Sequence, residues 1–311
     1  MQKIVITEFM DQEAVDFLAR DFAVTYDPNL FKDTARLFDL VKDADALIVR
    51  NNTQVRGELL EAGTKLKAVG RLGVGLDNID LPGCEARGIK VLPATGANDV
   101  SVAEYVIAGA LMMLRGSYFY TLSVMQGKWP RNQLIGREVE GTTLGLVGFG
   151  NIARHVARRA IAMGMHVIAY DAFLPPHHPA WADHGVTAGS LDDVLEKSDV
   201  ISLHVPLTDG TRHLINAQAI ARMKPGAMLI NTARGGVLDD VAVADALREG
   251  RLGGAMIDVF PVEPLPADNP YVEVPNVILT PHIAGVTHES NVRVSAVTAE
   301  NVRRVLMPQG E

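Results

Sequence analysis

Short apolar, β-branched runs alternate with stretches of helical periodicity along the whole chain. Over the first ~97 residues, the runs at 3–7, 23–26, 44–49, 68–72 and 90–92 predict strands. The stretches at 12–20, 34–41, 57–61 and 81–86 predict helices. Strands that are apolar along their length and separated by amphipathic helices form parallel sheets covered on both faces. The alternation restarts at Thr142, with strands at 143–147, 166–170, 200–204, 227–231, 255–259 and 277–279 and helices near 152–163, 191–196, 217–222 and 239–248. A last helix, 288–306, is expected to return to the first unit. The fold class read from this pattern is α/β, with two doubly wound parallel-sheet domains. The first is discontinuous, residues 1–97 plus 286–311, and the second spans 98–285.

Between the two units a new helix opens near Asn98, and Ser101-Val102-Ala103-Glu104 has the form of a capping box, in which the Ser oxygen accepts an N–H and the Glu reaches back. The helix it predicts, through Leu114, is apolar nearly all round, so it must be buried on several sides, between domains or against another subunit. Residues 116–141 have weak periodicity and contain Trp129-Pro130, which suggests a protruding arm that packs on a partner.

Composition narrows the function classes. A 48% hydrophobic and 21% charged chain of 311 residues is expected to fold as about two domains with packed cores. The net charge of −8 disfavours nucleic acid and anionic membrane as partners, since both need a basic face. The one cysteine, Cys84, excludes an internal disulfide and a cysteine metal site, and packing is its expected role. No signal-peptide pattern opens the chain and no apolar stretch is long enough to span a bilayer, so cytoplasm is the expected location. His177-His178 has no third ligand at metal spacing, and no metal is assigned.

Four polar motifs follow strand ends in the second unit, where open α/β sheets bind ligands. Gly148-Phe149-Gly150-Asn151-Ile152-Ala153 lies between a strand and a helix. Gly148 permits the tight turn, Gly150 lets a pyrophosphate approach the backbone, and the helix N-terminus offers free N–H groups. Asp171, 23 residues after Gly148, can accept both ribose hydroxyls and repel a 2′-phosphate, which favours NAD over NADP. Arg234 can fork onto a carboxylate and polarise a neighbouring carbonyl. Glu263 and His282 have the makings of an acid–base pair, the carboxylate favouring the imidazolium and fixing its tautomer.

The first unit lacks a glycine fingerprint after its first strand, where Thr7-Glu8-Phe9-Met10-Asp11 stands, so it is better suited to a substrate than to a dinucleotide. Gly73-Val74-Gly75 can offer N–H groups to a carboxylate, and Arg50 can read a second anion. Glycine turns and strand-end arginines also serve structure alone, and both readings stay open at this point.

In order and spacing these residues, together with Arg71 through Asp80, resemble the D-isomer-specific 2-hydroxyacid dehydrogenases, in the branch close to D-3-phosphoglycerate dehydrogenase, over nearly the whole chain. The resemblance implies two Rossmann-like domains with NAD in the cleft. It implies that Arg234 binds the substrate carboxylate and carbonyl, that His282 is the acid–base and that Glu263 supports it. It adds cofactor contacts at Asn151, Ile152, His204, Pro206, Thr211, Ala233, Asp258 and Gly285, and a homodimer through the NAD-binding domain. Tyr105 stands where many relatives have a His, and the C-terminal regulatory domain of many phosphoglycerate dehydrogenases is not expected after Glu311. The wording at 49–56 and 71–80 also resembles members of the family that act on sulfolactate. The expected reaction is hydride transfer between a nicotinamide and C2 of a small 2-hydroxy or 2-oxo acid with a second anionic group. The alternatives are a glyoxylate or hydroxypyruvate reductase and a non-catalytic NAD-sensing protein.

Overall fold

A computed structural model describes residues 1–116 and 120–307. The chain divides into two units, Met1–Asn98 with Val286–Glu311, and Asp99–Gly285. Residues 117–119, in the expected arm, and 308–311, at the end of the expected discontinuous domain, lie outside the described residues.

The first unit opens with β1 (Lys3–Ile6), α1 (Gln12–Ala19), β2 (Ala23–Tyr26), α2 (Thr34–Val41), β3 (Ala46–Val49), α3 (Gly57–Ala62), β4 (Ala68–Arg71), α4 (Leu81–Ala86) and β5 (Lys90–Pro93). The strands form an all-parallel sheet in the order β2-β1-β3-β4-β5. Chain order reverses at β1, so the turns after β1 and β3 meet at the switch point, the usual ligand position of such sheets. β3 is buried at every position, as its unbroken apolar run requires, and β4 is buried throughout as well, its terminal Arg71 included.

The second unit contains α5 (Asp99–Arg115), α6 (Thr121–Met125), β6 (Thr143–Val147), α7 (Asn151–Ala162), β7 (His166–Tyr170), α8 (Ala180–Asp183), β8 (Thr187–Ala188), α9 (Leu191–Lys197), β9 (Val200–Leu203), α10 (Ala217–Arg222), β10 (Ala227–Asn231), α11 (Asp240–Arg248), β11 (Leu252–Ile257) and β12 (Val277–Leu279). Its parallel sheet has the order β12-β11-β10-β9-β6-β7-β8, with the switch point at β6 and β9. The predicted doubly wound architecture is therefore borne out.

The last helix, α12 (His288–Leu306), begins at a capping box made by Thr287 and Ser290. It belongs to the first unit because Gly70 on β4 admits it. A Cβ at Gly70 would lie 2.7 Å from Val302 Cγ2 and 2.9 Å from Thr298 Cγ2. Val294, Ala299, Val302 and Leu306 complete one face of that unit's core.

Three local expectations change. α5 starts at Asp99, next to the expected opening at Asn98, so Ser101 is a buried residue inside the helix and not its cap. Glu104 does not reach back but pairs with Arg159 on α7 at 3.1 Å. β11 starts at Leu252, earlier than predicted, because Gly253 and Gly254 lie on a strand pressed against its neighbours. A Cβ at Gly253 would sit 2.5 Å from the Gly226 carbonyl oxygen. The same strand ends at Ile257, which leaves Asp258 as the first residue of the following turn. As expected, α5 is buried on several sides, against α7, β10 and β11 of its own unit.

Candidate active site

The glycine turn grows from the end of β6. Gly148 has φ +94°, and a Cβ there would lie 2.6 Å from the His204 carbonyl oxygen, so only glycine serves. Phe149 is buried and stacks on Trp181 at 4.7 Å between ring centroids, which pins the turn from below. Gly150 is the N-cap of α7, and nothing lies within 4 Å of where its Cβ would be. No side chain among the described residues caps the helix, which leaves its first N–H groups and the positive end of the helix dipole available to a ligand. Ala153 is fully buried. Asn151 is exposed at the first turn, and burial pushes the Asp99 carboxyl at the start of α5 up.

Asp171, just past β7, does more than the expected ribose contact requires. Its Oδ2 accepts the Phe149 N–H at 2.8 Å and its Oδ1 the Phe173 N–H at 2.9 Å. It therefore braces the phosphate turn, and each oxygen keeps a lone pair for a further donor.

His204 follows β9, and its ring Nε2 lies 3.0 Å from Ser202 Oγ. Burial pushes its pKa down to about 4, so the ring is neutral at neutral pH. Pro206 and Thr211 share one loop, closed by the Thr211 hydroxyl donating to the Pro206 carbonyl at 2.6 Å. At the end of β10, buried Asn231 clamps the next turn, donating to the Arg234 carbonyl and accepting the Ala233 N–H, both at 3.0 Å. Arg234 Nη1 donates to the Ala233 carbonyl at 2.6 Å. Thr232 Oγ1, in the same turn, is buried with no hydrogen-bond partner among the described residues. The open space at Gly150, the uncapped helix and this orphaned hydroxyl fit a bound dinucleotide.

Glu263 and His282 come together. Glu263 Oε2 lies 2.8 Å from His282 Nδ1, while Oε1 accepts the Phe260 N–H at 3.0 Å. The ring is 41% exposed, and Nε2 is its remaining nitrogen. Gly235 leaves no room for a side chain against the backbone of Phe260 and Pro261, which brings the Arg234 turn against the loop carrying Glu263. Asp258 is only 1% exposed, and its carboxylate accepts the Ile283 and Ala284 N–H groups, both at 2.8 Å. Gly285 ends this unit.

In the first unit, Glu8 was read only as part of a turn unsuited to dinucleotides. It is 2% exposed and organises the loop after β3. Its carboxylate accepts the backbone N–H groups of Arg50, Asn51, Asn52 and Thr53 at 2.9–3.2 Å and the Asn52 amide at 2.7 Å. Burial alone would raise the Glu8 pKa, but these hydrogen bonds prevail and hold it below the ordinary value. Arg50 is half-buried, and its Nη2 donates to Asn291 Oδ1 on α12 at 2.9 Å. Gly73 has φ +149°, and a Cβ there would collide with the Arg71 guanidinium. Its N–H is taken by the Arg71 carbonyl, so Val74 and Gly75 are the donors left in that loop. Sequence reasoning missed Glu8, Asn291 and Thr232, whose partners lie far off in sequence or are absent from the chain.

Among the described residues, no cluster of His, Cys, Asp and Glu side chains could hold a metal, and no helix is long and apolar enough to cross a membrane. The family described as "D-isomer specific 2-hydroxyacid dehydrogenase, NAD binding domain" matches residues 107–284. An (S)-sulfolactate dehydrogenase from Chromohalobacter salexigens is 56% identical over 98% of this chain and 99% of its own length. A hydroxypyruvate reductase from Thermotoga maritima is 41% identical over 98% of each chain. A D-3-phosphoglycerate dehydrogenase from Synechocystis is 40% identical over 99% of this chain, which spans only 54% of that relative. Among solved structures, the D-lactate dehydrogenase from Aquifex aeolicus complexed with NAD and lactic acid superposes with a TM-score of 0.83 at 31% identity, over 97% of this chain and 95% of that one. The match spans the glycine turn and the Arg234, Glu263 and His282 motifs, and it bears out the resemblance read from them. The chain belongs to the D-isomer-specific 2-hydroxyacid dehydrogenase family, and its cofactor is NAD.

Proposed function

We propose that the protein interconverts a small 2-hydroxy acid bearing a second anionic group, such as 3-sulfolactate or 3-phosphoglycerate, and its 2-oxo acid, with His282 as the acid–base. The observation that carries this reading is the 2.8 Å contact between His282 Nδ1 and Glu263. It fixes the ring's tautomer and leaves Nε2 to meet the substrate oxygen. NAD, when bound, supplies or takes the hydride at C4 of its nicotinamide. In reduction, the His282 imidazolium gives its proton to the carbonyl oxygen as C2 gains the hydride, and solvent restores that proton. In oxidation, His282 takes the hydroxyl proton. Arg234 binds the carboxylate and polarises the carbonyl, and the Val74 and Gly75 N–H groups hold the acid. Gly148, Gly150, Asn151 and Ile152 cradle the pyrophosphate, and Asp171 receives the ribose hydroxyls. His204, Pro206, Thr211, Ala233, Asp258 and Gly285 complete the cofactor contacts.

Arg50 is the residue we assign to the second anion. Its guanidinium is held by Asn291 and its loop by Glu8, so it is ordered before a ligand arrives. The 56% identical relative is named for sulfolactate, a dianionic hydroxy acid, which favours sulfolactate over phosphoglycerate. The enzyme works as a cytoplasmic homodimer in this reading, supported by exposed apolar side chains on the arm (Leu122, Met125, Trp129 and Ile135) and by the acidic net charge, which suits neither nucleic acid nor membrane.

The test is NADH oxidation with sulfopyruvate, phosphohydroxypyruvate, hydroxypyruvate, glyoxylate and pyruvate, for the native chain and R50Q. Losing a charge-assisted contact of ~1.5–3 kcal/mol should lower kcat/KM for the dianionic acids about 10–100-fold and leave the monoanions nearly unchanged. Preference for glyoxylate or hydroxypyruvate, with R50Q unaltered, would remove Arg50 from the site. NADH binding without turnover on any acid would favour a sensor.

A further inference from the structure

His282 sits in a strained turn. It is a non-glycine residue at φ +57°, a region that costs a side chain about 1 kcal/mol or more unless its surroundings impose it. The surroundings here are few and specific. The His282 N–H is shared between the Asp258 and Thr280 carbonyls, at 2.9 and 3.0 Å. The buried Asp258 carboxylate then takes the next two N–H groups, Ile283 and Ala284, and the Thr280 hydroxyl at 2.6 Å. The turn thus hangs on one carboxylate, and Thr280 is its entry point.

Thr280 has one further partner, the hydroxyl of Tyr105 on α5. The direction of that bond follows from proton counting. Thr280 has a single hydroxyl hydrogen, and Asp258 accepts it, so the Tyr105 phenol must be the donor. The chain Tyr105–Thr280–Asp258 ties the His282 turn to a 17-residue helix buried in the core of the same unit. The turn itself has no regular secondary structure.

We propose that Tyr105 is a positioning residue for His282, its phenol holding the Thr280–Ala284 turn in the geometry that keeps the imidazole beside Glu263. The proposal rests on the reading that His282 moves the proton. It assigns a role in this chain to a position outside the nicotinamide and substrate contacts considered above. Tyr105→Phe keeps the ring and its packing and deletes the one donor.

The experiment compares Y105F, Y105H and H282N with the native enzyme. The readouts are steady-state reduction of the preferred 2-oxo acid in water and in D2O, NADH binding by fluorescence, and thermal unfolding. For Y105F, kcat should fall about fivefold, the equivalent of one hydrogen bond. The solvent isotope effect on kcat should rise as proton transfer slows, while NADH affinity and the KM of the acid stay within about twofold. An imidazole N–H can replace the phenol as donor, so Y105H should recover most of the rate. A Y105F enzyme with native kcat and isotope effect would overturn the proposal. So would a loss of rate matched by equal losses of NADH affinity and melting temperature with no recovery in Y105H, since that pattern marks a packing role. Should Y105F fail to fold, T280V cuts the same link from the other end, and native turnover in T280V would refute the proposal. H282N separates the two claims, because full activity there would discard His282 as the acid–base whatever Tyr105 does.

Discussion

The Glu263 carboxylate is gripped on one oxygen by the Phe260 N–H and presents the other to His282 Nδ1 at 2.8 Å. A carboxylate fixed in this way cannot follow the ring if the ring moves, so the pair is preorganised by the Phe260–Glu263 loop. H282A should lower kcat by ~10²–10⁴-fold, the usual contribution of an acid–base group. E263Q should lower kcat with little change in the KM of the acid, because the tautomer is held less firmly while the carboxylate-binding residues are intact. Steady-state kinetics in both directions check this, and unchanged turnover in H282A would discard the mechanism.

Asp171 has two tasks, and substitutions can separate them. D171A removes the repulsion of a 2′-phosphate and also the acceptor of the Phe149 N–H. It should weaken NADH binding and raise the ratio of NADPH to NADH efficiency by roughly tenfold for each 1.4 kcal/mol of lost discrimination. D171N keeps an acceptor for the turn and loses the charge. It should therefore shift cofactor preference with a smaller loss of NADH affinity. Identical behaviour of the two variants would show that the charge is the whole role and that bracing the turn adds nothing.

Glu8 makes stability depend on pH. Its folded pKa lies below the ordinary value of 4.5, so the folded state holds its proton less tightly than the unfolded chain does. The stabilisation is fully present above that ordinary value and is lost as pH falls through the lower folded value. E8Q, whose amide can satisfy only part of the donor set and brings two hydrogens toward it, should cost ~3 kcal/mol at neutral pH. Thermal melts from pH 7 down to 3 should show a steeper decline for the native chain than for E8Q. Parallel curves would exclude Glu8 as the source.

The arm offers a test of association. Trp129 is 78% and Ile135 85% exposed, and the arm's return is anchored by Gly136 against the Arg115 backbone and by Arg137 on Asp199 at 2.9 Å. Charges at two apolar arm positions, as in M125D/W129E, should turn a dimer into a monomer in light scattering without unfolding it. A native chain already monomeric at micromolar concentration would dismiss the dimer.

The parts legible in the sequence are those set by neighbours along it. Both sheets were foreseen from unbroken apolar runs, and Arg234, Glu263 and His282 stood out because each follows such a run. What stayed hidden depends on partners distant in the chain. Ser101 and Glu104 have the spacing of a capping box, yet both lie inside the helix, and Glu104 pairs with Arg159, 55 positions away. Glu8 stood out only as part of a turn without glycines because its five donors lie 42–45 positions away. Tyr105 read as a departure from relatives with a His, and its bond to Thr280 spans 175 positions.

The seat that Gly70 makes for α12 bears on how the chain matures on the ribosome. Val294, Ala299, Val302 and Leu306 complete the core of the unit whose sheet is synthesised first. That sheet therefore emerges with one face lacking its cover until α12 has been translated. The unit between, residues 99–285, contains both of its own core layers and can settle while synthesis continues. The N-terminal unit is begun first and finished last, which makes the interval before α12 arrives its period of greatest exposure to aggregation and to chaperones.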